Sequence, residues 1–453
     1  MSCSATLKQL IDILAATPLN LSDSEMFQMA TGIATDSRQI QPGDVFLALT
    51  GEKFDGHQFV AAAHAQGAIA AIVHRGADVG TIPSLQVDDT LKAYQAIAHW
   101  WRQQFSVPLI AVTGSVGKTT TKELIAAVLS AHGRVLKSQA NYNNEIGVPK
   151  TLLELGSEHD YAVLEMGMRG PGEIAWLTQI AQPNIGVITN VGTAHIGRLG
   201  SEQAIANAKC ELLAHMPADG VAILNHDNAR LMQTAATVWS GQTVTYGLEA
   251  GDVQGEILAA DTLRLADKKL PLPLPGAHNA LNYLAALAVA KTLHLAWLPE
   301  QHFQVNLPAG RAQRYALPND VLILDETYNA GLESMLAALK LLAQTPGKRH
   351  IAVLGTMKEL GEHSIELHRQ VGAAAQQLKL DALLVLADEA ESKALAAGAG
   401  PILTTCFHEH EAVVDHLKKL VQAGDRLLFK ASRAVGLDQV VKQFCAVQAG
   451  SNA

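Results

Sequence analysis

From residue 107 onward the chain repeats one pattern: a short apolar run that ends on a polar residue, then a stretch with helical spacing. "VPLIAVTG", "YAVLEMG", "NIGVITNVG" and "GVAILNHDN" are the runs of this middle part. Apolar runs of this length alternating with helices predict a parallel sheet covered by helices. The earlier part holds "DVFLALTG" and "AAIVH", separated by the Gly/Asp-rich "GEKFDGHQF" and the helical "VAAAHAQGA". After the Pro- and Gly-containing "NLPAGRAQRYALPN" the same grammar returns in "VLILDE", "HIAVLG", "ALLVLA" and "RLLFKAS". An amphipathic helix, "EHEAVVDHLKKLVQAG", closed by a glycine, is expected between the last two of these strands. The expectation is an α/β protein of three domains, at residues 1–105, 106–305 and 306–453.

Composition narrows the partners. A net charge of −9 disfavours broad electrostatic binding of nucleic acid, which needs a basic surface. Any anionic ligand must then be held by local groups. The four cysteines, Cys3, Cys210, Cys406 and Cys445, are far apart in sequence and form no Cys-x-x-Cys pair, so reduced thiols in a cytoplasmic protein are expected. "SATLKQLIDILAAT" sets Leu7, Leu10, Ile11 and Leu14 on one helical face but carries Asp12, so it lacks a clean secretory core, and no run approaches the length of a membrane span.

In open parallel sheets ligands gather beyond the carboxyl ends of the strands. Those ends carry Thr113, Glu165, Asn190 with His195 close behind, and Asn225 in the middle part, then Asp325, Glu326, Lys430, Ser432 and Arg433 in the last. Thr113 leads into Gly114, Ser115, Val116, Gly117, Lys118, Thr119 and Thr120, which open a helix. Glycines let a backbone wrap a phosphate chain, the helix N-terminus aims free N–H groups at it, Lys118 would neutralise β and γ phosphates, and Thr119 would offer a hydroxyl to Mg²⁺. The spacing, Gly-x-x-Gly-Lys-Thr, is two residues shorter than a standard Walker loop. Glu165 and His195, beyond adjacent strand ends, complete a plausible Mg²⁺ site. Cys406, His408 and His410 lack a second ligand group at zinc spacing and read as a solvated loop.

A nucleotide switch needs little beyond such a loop. Here a second set of strand-end polar residues, Lys430 and Arg433 among them, suggests another substrate held opposite the γ-phosphate. An ATP-driven ligase needs that arrangement: a carboxylate attacks the γ-phosphate, and an amine then attacks the acyl phosphate.

These motifs resemble the Mur ligase family along the whole chain. The shortened phosphate loop, "NYNNEIGVP", "LEMGMRGPGEI", "ITNVGTAHIGRLGS", "AKCELL" and "PGAHNALNYLAALA" fall in the family's order. "LDETYNAGLESMLAALKLL", "VLGTMKELGEHSIELHRQVG" and "LFKASRAVGLDQVV" are similar to the type that adds D-alanyl-D-alanine to a UDP-N-acetylmuramoyl-tripeptide. The tyrosine-alanine-histidine and Asp-Asn-Pro-Arg segments of the ligase that adds the third amino acid are not found. That ligase, or a folylpolyglutamate synthase, remains the alternative within the superfamily, the latter disfavoured by "DSR" and "DGHQF". A non-catalytic phosphate-loop regulator is the alternative outside it.

The resemblance implies a UDP-sugar-binding first domain, a central ATP-binding domain and a Rossmann-like third domain that takes the dipeptide. It implies ATP and Mg²⁺ as cofactors, UDP-MurNAc-tripeptide and D-alanyl-D-alanine as partners, a cytoplasmic monomer, and no nucleic acid or membrane insertion. By the same resemblance Lys118, Glu165, His195, Lys209 and Glu326 would be catalytic, with Thr119, Glu165, His195 and a carbamylated Lys209 at the metal and Asn144 nearby. His278, Asn279 and Arg311 would join the phosphate loop at the nucleotide. Asp36, Ser37 and Arg38 would meet the uridine nucleotide, and Tyr328, Asn329, Lys430, Ser432 and Arg433 the dipeptide. The chain departs from the family's pattern in five places. Glu326 replaces an aspartate, Gly331-Leu332 an Asn-Pro, Thr356 an aspartate, Ala431 a glycine and Gly197 a glutamate. The first keeps the charge one methylene further out; Thr356 and Gly197 remove charges.

Overall fold

The computed structural model describes residues 3–52, 54–297, 303 and 305–450. Its frame is three sheets. The central one has nine strands in the order Val135–Lys137, Tyr161–Glu165, Leu109–Thr113, Ile185–Ile188, Val221–Asn225, Gln242–Gly247, Val253–Ala259, Thr262–Leu265, Lys268–Pro271. The first seven are parallel, and the last two are added as antiparallel neighbours, each reversing the strand before it. Leu109–Thr113 is wholly buried because helices cover both faces of the sheet, which is why it reads as an unbroken apolar run. Its neighbours in space come later in the chain on both sides, so the strand order reverses at its carboxyl end, the place where open α/β sheets leave a crevice.

The third domain repeats the design with six strands: Gln313–Leu317, Val321–Asp325, Asp425–Lys430, Arg349–Gly355, Ala382–Leu386, Leu403–Phe407. All neighbours are parallel except the first pair, a hairpin. The first domain holds a five-stranded sheet of Thr17–Leu19, Ser84–Val87, Ala70–His74, Val45–Leu47 and Ile33–Ala34. This α/β, three-domain architecture is the expected fold class. Among the described residues no helix is long and apolar enough to cross a membrane.

Several elements escape the apolar-run criterion. Val253–Ala259 carries mostly exposed residues and Leu403–Phe407 is a part-exposed edge strand, so neither shows a buried run. Leu403–Phe407 also precedes the helix His410–Leu420, which therefore does not follow directly on "ALLVLA". In the helix Leu332–Gln344 the buried face is Met335, Ala338, Leu339, Leu341 and Leu342, while Leu332 and Leu336 are only partly buried.

Candidate functional site: a cavity between two sheet edges

A cavity of about 910 Å³ lies where the carboxyl ends of the central and third-domain sheets face each other. The phosphate loop from Ser115 to Thr120 lines one wall; Arg311, Glu326, Tyr328, Asn329, Lys430, Ser432 and Arg433 line the other, with His195, His278 and Asn279 between. Thus the cavity gathers residues from two domains that sequence could assign only to separate strand ends.

The loop is braced from the next strand. Thr189 Oγ1 and Asn190 Nδ2 both donate to the Val116 carbonyl, at 2.6 and 3.1 Å, and Val116 N–H donates to Asn190 Oδ1 at 3.0 Å. Gly114 has φ +149, and a Cβ there would stand 1.9 Å from Thr189 Oγ1, so no larger residue fits this turn. Lys118 Nζ donates to the Gly114 carbonyl at 2.9 Å, folded back over its own loop. Burial pushes its pKa down, and the Glu165 carboxylate opposes that shift. Thr113 does not face the cavity: its hydroxyl is fully buried and donates to the Met166 carbonyl at 2.8 Å.

Glu165 is held behind the loop by two direct contacts and one made through Ser138. Its N–H donates to Ser138 Oγ at 3.1 Å, its Oε1 accepts from Asn143 Nδ2 at 2.8 Å, and Lys122 Nζ fixes the Ser138 carbonyl at 2.7 Å. Its other oxygen, Oε2, is buried with no partner. A buried carboxylate oxygen without a donor is costly unless a cation takes it, so the residue fits a metal ligand. Asn143, not the anticipated Asn144, makes the contact; Asn144 instead accepts from the N–H groups of Ile146 and Gly147 at a helix start. Among the described residues no three His, Cys, Asp or Glu side chains converge as a ready-made metal site, so Glu165 and His195 would need other oxygens beside them.

Lys209 is 1% exposed in the helix Glu202–His215, and burial, reinforced by the nearby charge of Lys118, drives its pKa well down. His195 Nδ1 lies 2.6 Å from Glu359 Oε2 of the third domain, whose Oε1 accepts from Arg198 at 2.9 Å. Burial and the charge of Lys118 pull the His195 pKa down against the pull of Glu359 up.

On the far wall, Glu326 accepts from Ala312 N–H at 3.1 Å and Lys430 donates to the Asn329 carbonyl at 2.9 Å. Burial raises the Glu326 pKa and lowers that of Lys430, each opposed by the charge of the other. The guanidinium of Arg311 stacks 3.9 Å over the Tyr328 ring, and its Nε is buried without a partner, a donor left for a ligand. Burial, with the Lys430 charge, holds His278 at about 4, a neutral ring. Asn279 Nδ2 is engaged with the Pro275 carbonyl at 2.8 Å. Asp36, Ser37 and Arg38 take no part in the cavity; Arg38 clasps Asp36 through Nε at 2.9 Å and Nη2 at 2.7 Å, holding its carboxyl at about 2.

Sequence reasoning missed Asn282, Glu333 and Glu359. Asn282 lies one turn beyond Asn279 and accepts from Thr121 at 3.1 Å, a helical spacing that could have shown it. The two glutamates meet the central domain through contacts that no local pattern announces. Gly197 explains part of this: a Cβ there would stand 2.5 Å from Gly361 N and 2.8 Å from the Glu359 carbonyl, so the missing side chain lets two domains touch. Gly197→Ala is expected to open that contact; small-angle scattering should read a larger radius of gyration, and an unchanged profile would show that the contact does not hold the domains.

Three family models match this chain in succession. They are described as Mur ligase family, catalytic domain, at residues 30–103, Mur ligase middle domain, at 112–290, and Mur ligase, glutamate ligase domain, at 310–433. A Synechocystis protein named UDP-N-acetylmuramoyl-tripeptide--D-alanyl-D-alanine ligase is 58% identical, over 91% of this chain and 92% of its own. The Escherichia coli protein of the same name is 36% identical over 97% and 98%. Among solved structures, MurF from Acinetobacter baumannii superposes with a TM-score of 0.89 at 32% identity, covering 98% of this chain and 99% of its own. MurF ligase from Thermotoga maritima in complex with ADP gives 0.84 at 31% identity, covering 93% and 98%. With matches of this extent over all three sheets and a two-domain cavity behind a shortened phosphate loop, the chain belongs to the Mur ligase family.

Proposed function

We propose that this protein joins D-alanyl-D-alanine to UDP-N-acetylmuramoyl-tripeptide at the expense of ATP, in the cytoplasm, as a step of peptidoglycan synthesis. The observation that carries the reading is the cavity itself, with a phosphate loop on one wall and Glu326, Lys430 and Arg433 on the other. We keep the division into a UDP-substrate domain at 1–105, an ATP domain at 106–305 and a dipeptide domain at 306–453. Every proposed group of the cavity comes from one chain, so a monomer suffices.

The phosphate loop would take the nucleotide phosphates through its N–H groups and Lys118, with His278, Asn279 and Arg311 toward the base and ribose. The tripeptide carboxylate attacks the γ-phosphorus; the bond to the bridging oxygen breaks and its electron pair leaves with ADP. Lys118 stabilises the charge that spreads over the transferred phosphoryl group. The dipeptide amine then attacks the acyl carbon, the C–O bond to phosphate breaks, and the amine gives up a proton. Tyr328, Asn329, Lys430, Ser432 and Arg433 would hold the dipeptide, Lys430 and Arg433 offering cations to its carboxylate. Thr119, Glu165, His195 and a CO₂ adduct of Lys209 would hold Mg²⁺, which when bound would supply charge neutralisation at the phosphates. Asp36, Ser37 and Arg38, outside the cavity, would receive the uridine nucleotide.

Phosphate release with ATP, Mg²⁺ and UDP-MurNAc-tripeptide is the test, run with and without D-alanyl-D-alanine and with single amino acids as controls. Release that depends on the dipeptide is expected. Release with a single amino acid instead would move the protein to another step of the pathway, and none at all would remove the reading.

A further inference from the structure

We propose that Glu359 is a positioning residue for His195, so that docking of the third domain sets the imidazole facing the phosphate loop; this rests on the ligase reading above. His195 sits in the left-handed region at φ 68, and so does Glu359 at φ 65. Both residues that meet across the domain boundary thus carry a backbone conformation uncommon for non-glycine residues. Nδ1 of His195 is 2.6 Å from Glu359 Oε2, Arg198 holds Oε1 at 2.9 Å, and Gly197 N–H donates to the Glu359 carbonyl at 3.1 Å. At the other end of the same segment, Glu333 accepts from Thr193 N–H at 2.7 Å and from its hydroxyl at 3.3 Å. Two carboxylates of the third domain therefore grip residues 193–198 of the central domain from both ends.

The consequence falls on the ring. With Nδ1–H donated to a carboxylate, Nε2 keeps its lone pair, and the ring's orientation in the cavity wall is fixed. Without the docked domain the hydrogen bond that sets the tautomer is lost. Stability alone does not account for the contact: the side chains of His195 and Glu359 are 24% and 37% exposed, and pairs so exposed contribute little. A merely structural contact would leave kcat almost untouched, whereas a positioning contact acts on kcat.

The experiment compares Glu359→Ala, Glu359→Gln, His195→Ala and the double alanine variant. Glu359→Ala is expected to lower kcat about 10- to 100-fold, the usual loss for the partner that orients an active-site histidine, with KM for ATP little changed. Gln, whose amide oxygen still accepts from Nδ1–H, should retain most of the rate. If Glu359 acts through His195 the losses do not add, and the double variant should be no slower than His195→Ala. A downfield Nδ1–H proton resonance in the parent protein should vanish in Glu359→Ala. Additive losses, a parent-like kcat in Glu359→Ala, or a resonance that survives it would overturn the proposal. Failure of the ligase reading would look different: the parent itself would show no dipeptide-dependent phosphate release, whatever the resonance did.

Discussion

Replacing Lys118 by alanine is expected to lower kcat by about 10²–10³-fold, the usual loss when one preorganised charge at a developing anion is removed. The side chain opens the helix Lys118–Leu129 and folds onto the Gly114 carbonyl. That internal contact shows that Nζ can reach the space the loop encloses. Nucleotide affinity should fall less than kcat, because the loop N–H groups and the helix N-terminus remain to bind the phosphates. Folding should survive, since the loop is braced by Thr189 and Asn190 rather than by Lys118. Steady-state phosphate release together with a thermal melt decides the matter: a near-parental kcat in a folded variant would sink the phosphate-loop assignment.

What the sequence discloses depends on how locally a feature is written. The strands Leu109–Thr113, Tyr161–Glu165, Ile185–Ile188 and Val221–Asn225 are legible because both faces are covered, so they run apolar or small up to the polar residue, Thr113, Glu165 or Asn225, that ends three of them. The hairpin strands Thr262–Leu265 and Lys268–Pro271 carry Arg and Lys on their exposed face and show no such run. The same division holds for the site. The phosphate loop is contiguous, so its chemistry can be read directly; Glu165 follows from its place at a strand end. Glu333 and Glu359 reach partners 140 and 164 residues away, and only the packing of one domain on another brings those pairs together. Asn143 and Asn144 are adjacent in one motif, and only backbone geometry decides which of them meets Glu165.

The departures from the family's pattern are accommodated in different ways. Thr356 is 3% exposed, and its hydroxyl accepts from Asp388 N–H at 3.1 Å while its carbonyl accepts from Ser432 N–H at 3.1 Å. A neutral hydroxyl thus satisfies the end of this strand without a buried charge. Glu326, a carboxylate on the same wall, is fixed by Ala312 N–H and faces the charge of Lys430. At Gly197 the loss of a side chain serves contact instead, since Gly361 occupies the space it would need. Nothing in the structure explains the replacement of Asn-Pro by Gly331-Leu332.

Lys209→Ala should be nearly as damaging as the loss of Lys118, and for a chemical reason that can be tested separately. A buried ammonium with no counter-ion is expensive, and Lys209, fully covered, has Lys118 rather than a carboxylate as its charged neighbour. The neutral amine removes that cost and is the form that attacks CO₂: the N–C bond forms, a proton leaves, and an anionic carbamate remains. That anion would be attracted to Lys118 where the ammonium is repelled, and would offer an acidic oxygen donor to Mg²⁺. Turnover of Lys209→Ala should therefore fall about 10²–10³-fold, as for other groups that stabilise charge at the reacting phosphate. Small carboxylates added to this variant should restore part of the rate by entering the space left. Carbon-13 bicarbonate should give the parent protein a carbamate resonance that Lys209→Ala lacks. Lack of that resonance in the parent, with a near-parental rate in the variant, would leave Lys209 a packing residue.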